Sequence, residues 1–131
     1  MKTTYQLDSV PASGIILIIE GMLLRIMYNI VHREPTEDED GHVGPDNLYD
    51  LDIVDVNGRS KGEIISAIVN DRYTSDQVQA LTANYALATD PESGITEEKR
   101  AEYREEYQAY QDCRSEAKQV AALVVLELED M

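Results

Sequence analysis

The sequence predicts an α+β domain, with antiparallel strands over about residues 3–57 and three helices over about residues 61–73, 75–88 and 96–128. Three observations lead to this prediction. Short β-branched or alternating segments fill the first half of the chain, two helix-capping signatures open the second half, and a long amphipathic pattern closes it. Because 131 residues is an ordinary length for one domain, we expect a single unit spanning residues 1–131.

The N-terminal third reads as β, with three or four strands before the helices, and Pro11 and Gly14 separate Thr3–Leu7 from a predicted hairpin. The segment 15–19 is short and β-branched, which suits a strand buried on both faces. Glu20 and Gly21 then supply a turn, and a second strand covers Met22–Val31. One buried helix through residues 15–31 is the alternative, which Leu and Met favour and which Gly21 and the isoleucine block disfavour.

Residues 34–47 are predicted to form a mobile acidic loop, because they concentrate carboxylates with Gly, Pro and Asn. The segment Leu48–Val56 then reads as a strand. Three apolar residues alternate there with two acidic ones: Tyr49, Leu51 and Ile53 with Asp50 and Asp52. This period of two predicts a half-exposed strand whose apolar side chains face the core.

Capping signatures mark the starts of the three helices. Ser60 is followed three residues later by Glu63, and Thr74 by Gln77, which is the form of a capping box. Thr96 precedes two glutamates at the start of the last helix, where the helix dipole favours negative charge.

The last helix carries a continuous apolar stripe at helical spacing. Its members are Tyr103, Tyr107, Tyr110, Ala117, Ala121, Val124 and Leu128. Core packing accounts for such a stripe, and so does a partner-binding surface, since tyrosine is enriched at interfaces. The segment Val120–Leu128 is apolar on more than one face, which indicates deep burial or packing against another chain. We therefore predict a homo-oligomer, with five interface candidates: Tyr103, Tyr107, Tyr110, Val124 and Leu128.

The composition excludes several functions. Acidic residues outnumber basic ones 26 to 11, for a formal net charge of −15. No surplus of Lys and Arg is left for nucleic acid or for an anionic membrane, so we predict neither as a partner. The charges of Glu20 and Arg25 argue against a membrane span, and the N-terminus does not resemble a secretory signal. With a single cysteine, the chain is predicted to be cytoplasmic.

The acidic loop resembles a calcium loop only in part. Asp38 and Asp40 stand at its third and fifth positions, but the first and twelfth positions hold Thr36 and Asn47 instead of carboxylates. We predict no metal ligand, and an acidic ligand or divalent-metal binder using residues 37–50 is one alternative function.

Catalytic motifs are missing from the sequence. It has no Gly-rich phosphate loop, no pair of metal-binding histidines and no nucleophile elbow. We predict no enzyme activity, no catalytic residue and no cofactor. A small enzyme is the other alternative, and it would need His32, His42, Cys113 or a glutamate buried beside a charged partner.

Two segments of the helical half carry a resemblance. The first is Ile64-x-x-Ala-Ile-x-x-x-Arg-Tyr73, and the second is Glu106-Tyr-x-Ala-Tyr-Gln-x-x-Arg-x-x-Ala-Lys118. Over about residues 60–125 the chain resembles a group of short proteins encoded in prophages and mobile elements of gut bacteria, often among tail genes. The group often has a Trp where this chain has Cys113. The resemblance implies a non-catalytic accessory or structural role, such as in tail assembly, through protein–protein contact.

Overall fold

The computed structural model describes residues 1–131 and contains four strands followed by three helices. The strands are β1 (Lys2–Gln6), β2 (Ile16–Glu20), β3 (Leu23–His32) and β4 (Leu48–Val56). The helices are α1 (Lys61–Arg72), α2 (Ser75–Thr89) and α3 (Glu97–Glu129). The α+β prediction is confirmed, and each predicted helix boundary lies within one residue of the observed one.

The four strands form one antiparallel sheet in the order β1-β4-β3-β2. Glu20 pairs with Leu23, so Gly21 and Met22 alone make the turn between β2 and β3. Gly21 has a φ of +61°, and a positive φ at the first of two loop residues is typical of a type II′ hairpin. The hairpin prediction is confirmed over the single helix, although the turn lies one residue later than expected.

Helices cover one face of the sheet, and the core lies between the two layers. It consists of Ile15, Leu24, Ile26, Tyr28, Val54, Val56, Ile64, Ile68, Val69, Ala117, Val120, Ala121 and Val124. Val54 and Val56 of β4 belong to this core, so their side chains point toward the helices. The Asp52 side chain points the same way, because Asp52 pairs with Tyr28, another core residue. The sequence prediction had assigned the aspartates of β4 to the exposed face, and for Asp52, which is 3% exposed, this was wrong.

The second strand was also expected to be buried on both faces, and this expectation was wrong. β2 lies at the edge of the sheet and pairs only with β3. Ile18 and Ile19 remain 38% and 43% exposed. An unbroken β-branched run does not distinguish a central strand from an edge strand, because both can bear apolar side chains on either face.

The helix α3 has 33 residues and is about 50 Å long, longer than the sheet needs for its cover. Its first half packs against α2 as a helical hairpin, and its second half packs against α1 over the sheet. Thr74 and Thr96 cap α2 and α3 as predicted, and Gln77 completes the capping box of α2. No helix combines the length and the apolar character that crossing a membrane would require.

A buried arginine closes the tip of the hairpin. The guanidinium of Arg100 donates hydrogen bonds to four backbone carbonyls at the end of α2 and in the following turn, those of Leu87, Ala88, Asp90 and Ser93, at 2.8–3.5 Å. Carbonyls at the end of a helix have no partner within the helix. One side chain thus satisfies the C-terminus of α2 and fixes the start of α3 against it.

Replacing Arg100 with lysine is expected to lower the free energy of unfolding by about 1–2 kcal/mol, because an ammonium group cannot replace a planar fork that serves four acceptors. Urea unfolding measures the change. Arg104→Lys is the matched control, since Arg104 is exposed and reaches only the Ala88 carbonyl, at 3.2 Å. Its expected cost is below about 0.5 kcal/mol, and equal costs for the two variants would contradict the role of Arg100.

Candidate functional site

The predicted tyrosines lie on one flank of α3, in the helical hairpin. Tyr107 stacks on Tyr85 of α2 with ring centroids 4.0 Å apart, and Tyr110 meets the edge of Tyr73 at 5.2 Å. Tyr103 has no aromatic neighbour. All three tyrosines of α3 are half-buried. Part of each ring packs within the chain, and the remainder faces solvent.

Cationic side chains share this flank with the tyrosines. The ammonium of Lys99 lies 5.8 Å from the Tyr103 ring centroid, and the Arg114 guanidinium lies 5.9 Å from that of Tyr110. Lys118 follows one turn after Arg114 and is exposed. We call the surface formed by Lys99, Tyr103, Tyr107, Tyr110, Arg114 and Lys118 the tyrosine face.

Carboxylates gather on another flank of the same helix. They are Glu98, Glu102, Glu105, Asp112 and Glu116, which follow one another at spacings of three, four and seven residues. Glu102 of this flank forms an ion pair with Lys99 of the tyrosine face, at 3.0 Å. The tyrosine face gathers three of the chain's 11 Lys and Arg residues onto one exposed strip.

The two apolar interface candidates occupy different environments. Val124 is fully buried in the core, and Leu128 is partly buried against it. The apolar side chains of this segment that stay exposed are Leu123 and Leu126. Any contact of the terminal segment with another chain would therefore be made by these two leucines and the exposed part of Leu128.

A polar network that the sequence did not predict joins β3, β4, α1 and α3. Arg72, at the end of α1, forms ion pairs with Glu116 at 2.8 Å and with the buried Asp52 at 3.3 Å. Its hydrogen bond to Glu116 raises the pKa of the guanidinium and lowers the pKa of the Glu116 carboxyl group. One cation thus pairs with two carboxylates, one of them nearly inaccessible to water.

Asn29 completes this network because β3 contains a bulge. The register against β4 shifts between Tyr28 and Val31, which leaves one extra residue on β3. Asn29 takes a φ of +53° there, a left-handed conformation that Asn tolerates better than most residues. Its amide donates to Asp52 at 3.1 Å and also to Glu116. Backbone geometry at the bulge thus directs a polar side chain to the carboxylates.

Tyr28 lies beneath the network. Its ring is fully buried, the Arg72 guanidinium lies 5.9 Å from the ring centroid, and its hydroxyl has no hydrogen-bond partner. Burial, which opposes the charged phenolate, raises the pKa of Tyr28 to about 12. The side chain therefore stays neutral throughout the physiological range.

Two shallow clefts of about 370 and 480 Å³ lie beside the network, on either side of Tyr73 and Ala109. The larger is lined by Arg72, Cys113 and Glu116, so a buried thiol, a guanidinium and a carboxylate meet there. The thiol of Cys113 lies 3.9 Å from an Arg72 nitrogen. Neither histidine joins them, since His32 is exposed at the end of β3 and His42 is exposed in the acidic loop. The charge of Arg72 is engaged by two carboxylates, and this arrangement acts as a brace between four elements.

The acidic loop contains a short β-bridge between Glu37 and Val43. Within it, one Asp38 oxygen accepts backbone hydrogen bonds from Asp40 at 3.0 Å and from His42 at 2.8 Å. The ligand atoms of Asp38, Asp40 and His42 lie within 4.8 Å of one another, and all three side chains are exposed. His42 was not among the ligands considered from the sequence, because the calcium-loop pattern assigns no histidine to that position.

No protein-family model, curated protein or solved structure matches the chain.

Proposed function

We propose that the chain is a non-catalytic protein-binding protein that uses the tyrosine face of α3 to hold another polypeptide, in an accessory role such as phage tail assembly. The observation that carries the proposal is the composition of this face. Three half-buried tyrosines follow one another along the helix, with Lys99 before them and Arg114 and Lys118 after them, over about five helical turns. Tyrosine and arginine are the residue types that most often dominate the binding energy of protein interfaces.

Pre-organisation supports the same surface. Tyr107 and Tyr110 are held by aromatic contacts to Tyr85 and Tyr73, so a partner would meet rings that are already ordered. An ordered side chain loses little conformational entropy on binding, whereas a flexible one costs about 0.5–1.5 kcal/mol. The hairpin formed by α2 and the first half of α3 therefore offers a rigid binding surface.

Charge supports a partner with acidic groups at the contact. Neither Lys118 nor Arg114 forms an ion pair within the chain, and the Arg114 guanidinium lies 5.9 Å from the Tyr110 ring centroid. Carboxylates of a partner would complement both. The role in tail assembly rests on the resemblance over residues 60–125 to short prophage-encoded proteins.

The proposal is tested by producing the tagged chain together with the proteins encoded beside its gene and measuring which of them co-purify. We expect one neighbour to be retained in stoichiometric amount. The double variant Tyr103→Ala/Arg114→Glu should weaken this binding at least about thirtyfold, as expected for loss of an interface hot spot. Tyr103 makes no aromatic contact within the chain, so its removal should leave the fold intact.

The control variant is Glu105→Ala/Asp112→Ala, on the acidic flank of the same helix. It should retain the partner. Equal retention by both double variants would contradict binding at the tyrosine face, and failure of every neighbour to co-purify would contradict the assembly role. Circular dichroism and thermal unfolding confirm that each variant is folded.

A further inference from the structure

We propose that the free edge of β2 pairs with the β2 edge of a second copy of this chain, forming an eight-stranded sheet about a two-fold axis. This homodimer surface is separate from the tyrosine face and does not depend on the function proposed for it. The inference begins with the position of β2 at the end of the sheet order, where no strand covers its outer side.

Backbone groups on this edge are available for pairing. In a hairpin with a two-residue turn, the residues that flank the turn are hydrogen-bonded to each other, and the bonded positions then alternate along the strand. Glu20, Ile18 and Ile16 therefore bond to β3. The N–H and C=O groups of Leu17 and Ile19 point outward, away from the sheet.

The edge also lacks the features that normally keep strands apart. Exposed edges are usually protected by a charged side chain, a proline or a bulge. From Ile16 to Ile19 the strand has none of these, its one charged residue is Glu20 at its end, and its register with β3 is unbroken.

A second copy fits this edge better than an unrelated strand, because the sequence is complementary to itself in the antiparallel direction. With Ile18 opposite Ile18 of the partner copy, Leu17 lies opposite Ile19 in both directions, and four backbone hydrogen bonds form. Glu20 then faces Ile16 of the other copy, so no two carboxylates oppose each other. Within the chain, Leu17 pairs with Ile26 and Ile19 pairs with Leu24, so both side chains lie on the helix-covered face of the sheet. In the dimer, Leu17 of each copy would therefore meet Ile19 of the other copy on that face.

Analytical ultracentrifugation of the full chain tests the pairing. Because a single strand pair buries a small area, we expect weak dimerisation, visible at protein concentrations between about 10 µM and 1 mM. The dimer should be stronger when about 0.5 M salt screens the net charge.

The variant Ile18→Lys would place the ammonium groups of the two copies directly opposite each other in the dimer. It should weaken the dimer at least about tenfold. Val43→Lys, at a position that is exposed in the acidic loop, is the matched control and should not change it.

Two further measurements separate specific pairing from a folding defect. Ile18→Glu should also be monomeric, and an equimolar mixture of Ile18→Lys and Ile18→Glu should restore a dimer through the opposed charges. In the unmodified chain, hydrogen exchange at the amides of Leu17 and Ile19 should slow as the protein concentration rises.

Three results would each overturn the proposal: a chain that stays monomeric in high salt, a dimer that Ile18→Lys does not weaken, or a mixture of the two charged variants that does not associate. Tyr103→Ala/Arg114→Glu should leave the dimer unchanged, so this result is independent of the partner-binding test.

Discussion

Replacing Arg72 with methionine is expected to lower the free energy of unfolding by about 3 kcal/mol. The guanidinium is the only cation that contacts Asp52, a carboxylate that is 3% exposed, and it also pairs with Glu116. Methionine preserves most of the aliphatic length but leaves the buried Asp52 carboxylate with the Asn29 amide and no cation, which is among the more costly changes a core can suffer. Urea unfolding at neutral pH measures the difference.

The matched variant for this prediction is Arg72→Met combined with Asp52→Asn and Glu116→Gln. It removes both carboxylate charges together with the cation, and we expect it to recover at least half of the lost stability, because no charge is then left unpaired. If the triple variant were less stable than Arg72→Met alone, the loss would come from packing of the arginine side chain and the electrostatic explanation would fail.

The same ion pair predicts an acid dependence. Arg72 lowers the pKa of Glu116 in the folded chain, so the folded state releases the proton more readily than the unfolded state. The stability that this pair contributes is present above the ordinary glutamate pKa and is lost as the pH falls through the lowered value. We expect Arg72→Met to show a smaller loss of stability than the unmodified chain over that acidic range.

Tyr28→Phe is expected to raise the free energy of unfolding, whereas Arg72→Met lowers it. The Tyr28 hydroxyl is buried and has no hydrogen-bond partner, so its removal should stabilise the chain by about 1 kcal/mol at pH 7. The difference in stability between Tyr28→Phe and the unmodified chain should grow at high pH. The folded-state pKa of about 12 exceeds the unfolded value, so stability is fully present below about pH 10 and falls by about 2–3 kcal/mol as the pH approaches 12.

Phenylalanine cannot ionise, so Tyr28→Phe should lack that part of the alkaline loss. The measurement is urea unfolding of both proteins at pH 7 and at about pH 11. Tyr5→Phe, at an exposed position of β1, controls for the loss of one phenol. A Tyr28→Phe variant that is destabilised at pH 7 would show that the hydroxyl has a partner, such as a buried water molecule, that stabilises the fold.

Local patterns were sufficient for most secondary-structure elements. The β4 segment begins and ends where the alternation predicted, and Thr74 and Thr96 cap helices as expected, because a strand period and a capping side chain depend on neighbours a few residues away. The hairpin over residues 16–32 was also predictable, since Gly21 favours the turn that the strands require.

Long-range interactions decided what the sequence could not show. Asp52 was expected to face water, and it faces the helices, where it pairs with Arg72, 20 positions further along the chain. No local period encodes such a partnership. The bulge at Asn29 was missed for a related reason, because neither of its neighbours in sequence is a glycine or proline that would mark an interrupted strand.

The candidate site was predicted unevenly. The tyrosines of α3 share a flank, as their spacing indicated, but their stacking on Tyr85 and Tyr73 could not be anticipated without the packing of α2. Val124 and Leu128 belong to the same amphipathic pattern, yet the sheet covers the first completely and the second in part. Helical spacing identifies an apolar stripe and leaves open which protein surface covers it.

The position of α3 in the chain has a consequence for biosynthesis. All four strands are complete once Val56 has left the ribosome, and α1 follows directly, but the half of α3 that completes the cover of the inner face begins only near Ala117. At translation speeds of about 5–20 residues per second, this leaves an interval of several seconds. During that interval the core lacks Ala117, Val120, Ala121 and Val124, and the domain can finish folding only after its last helix has been synthesised.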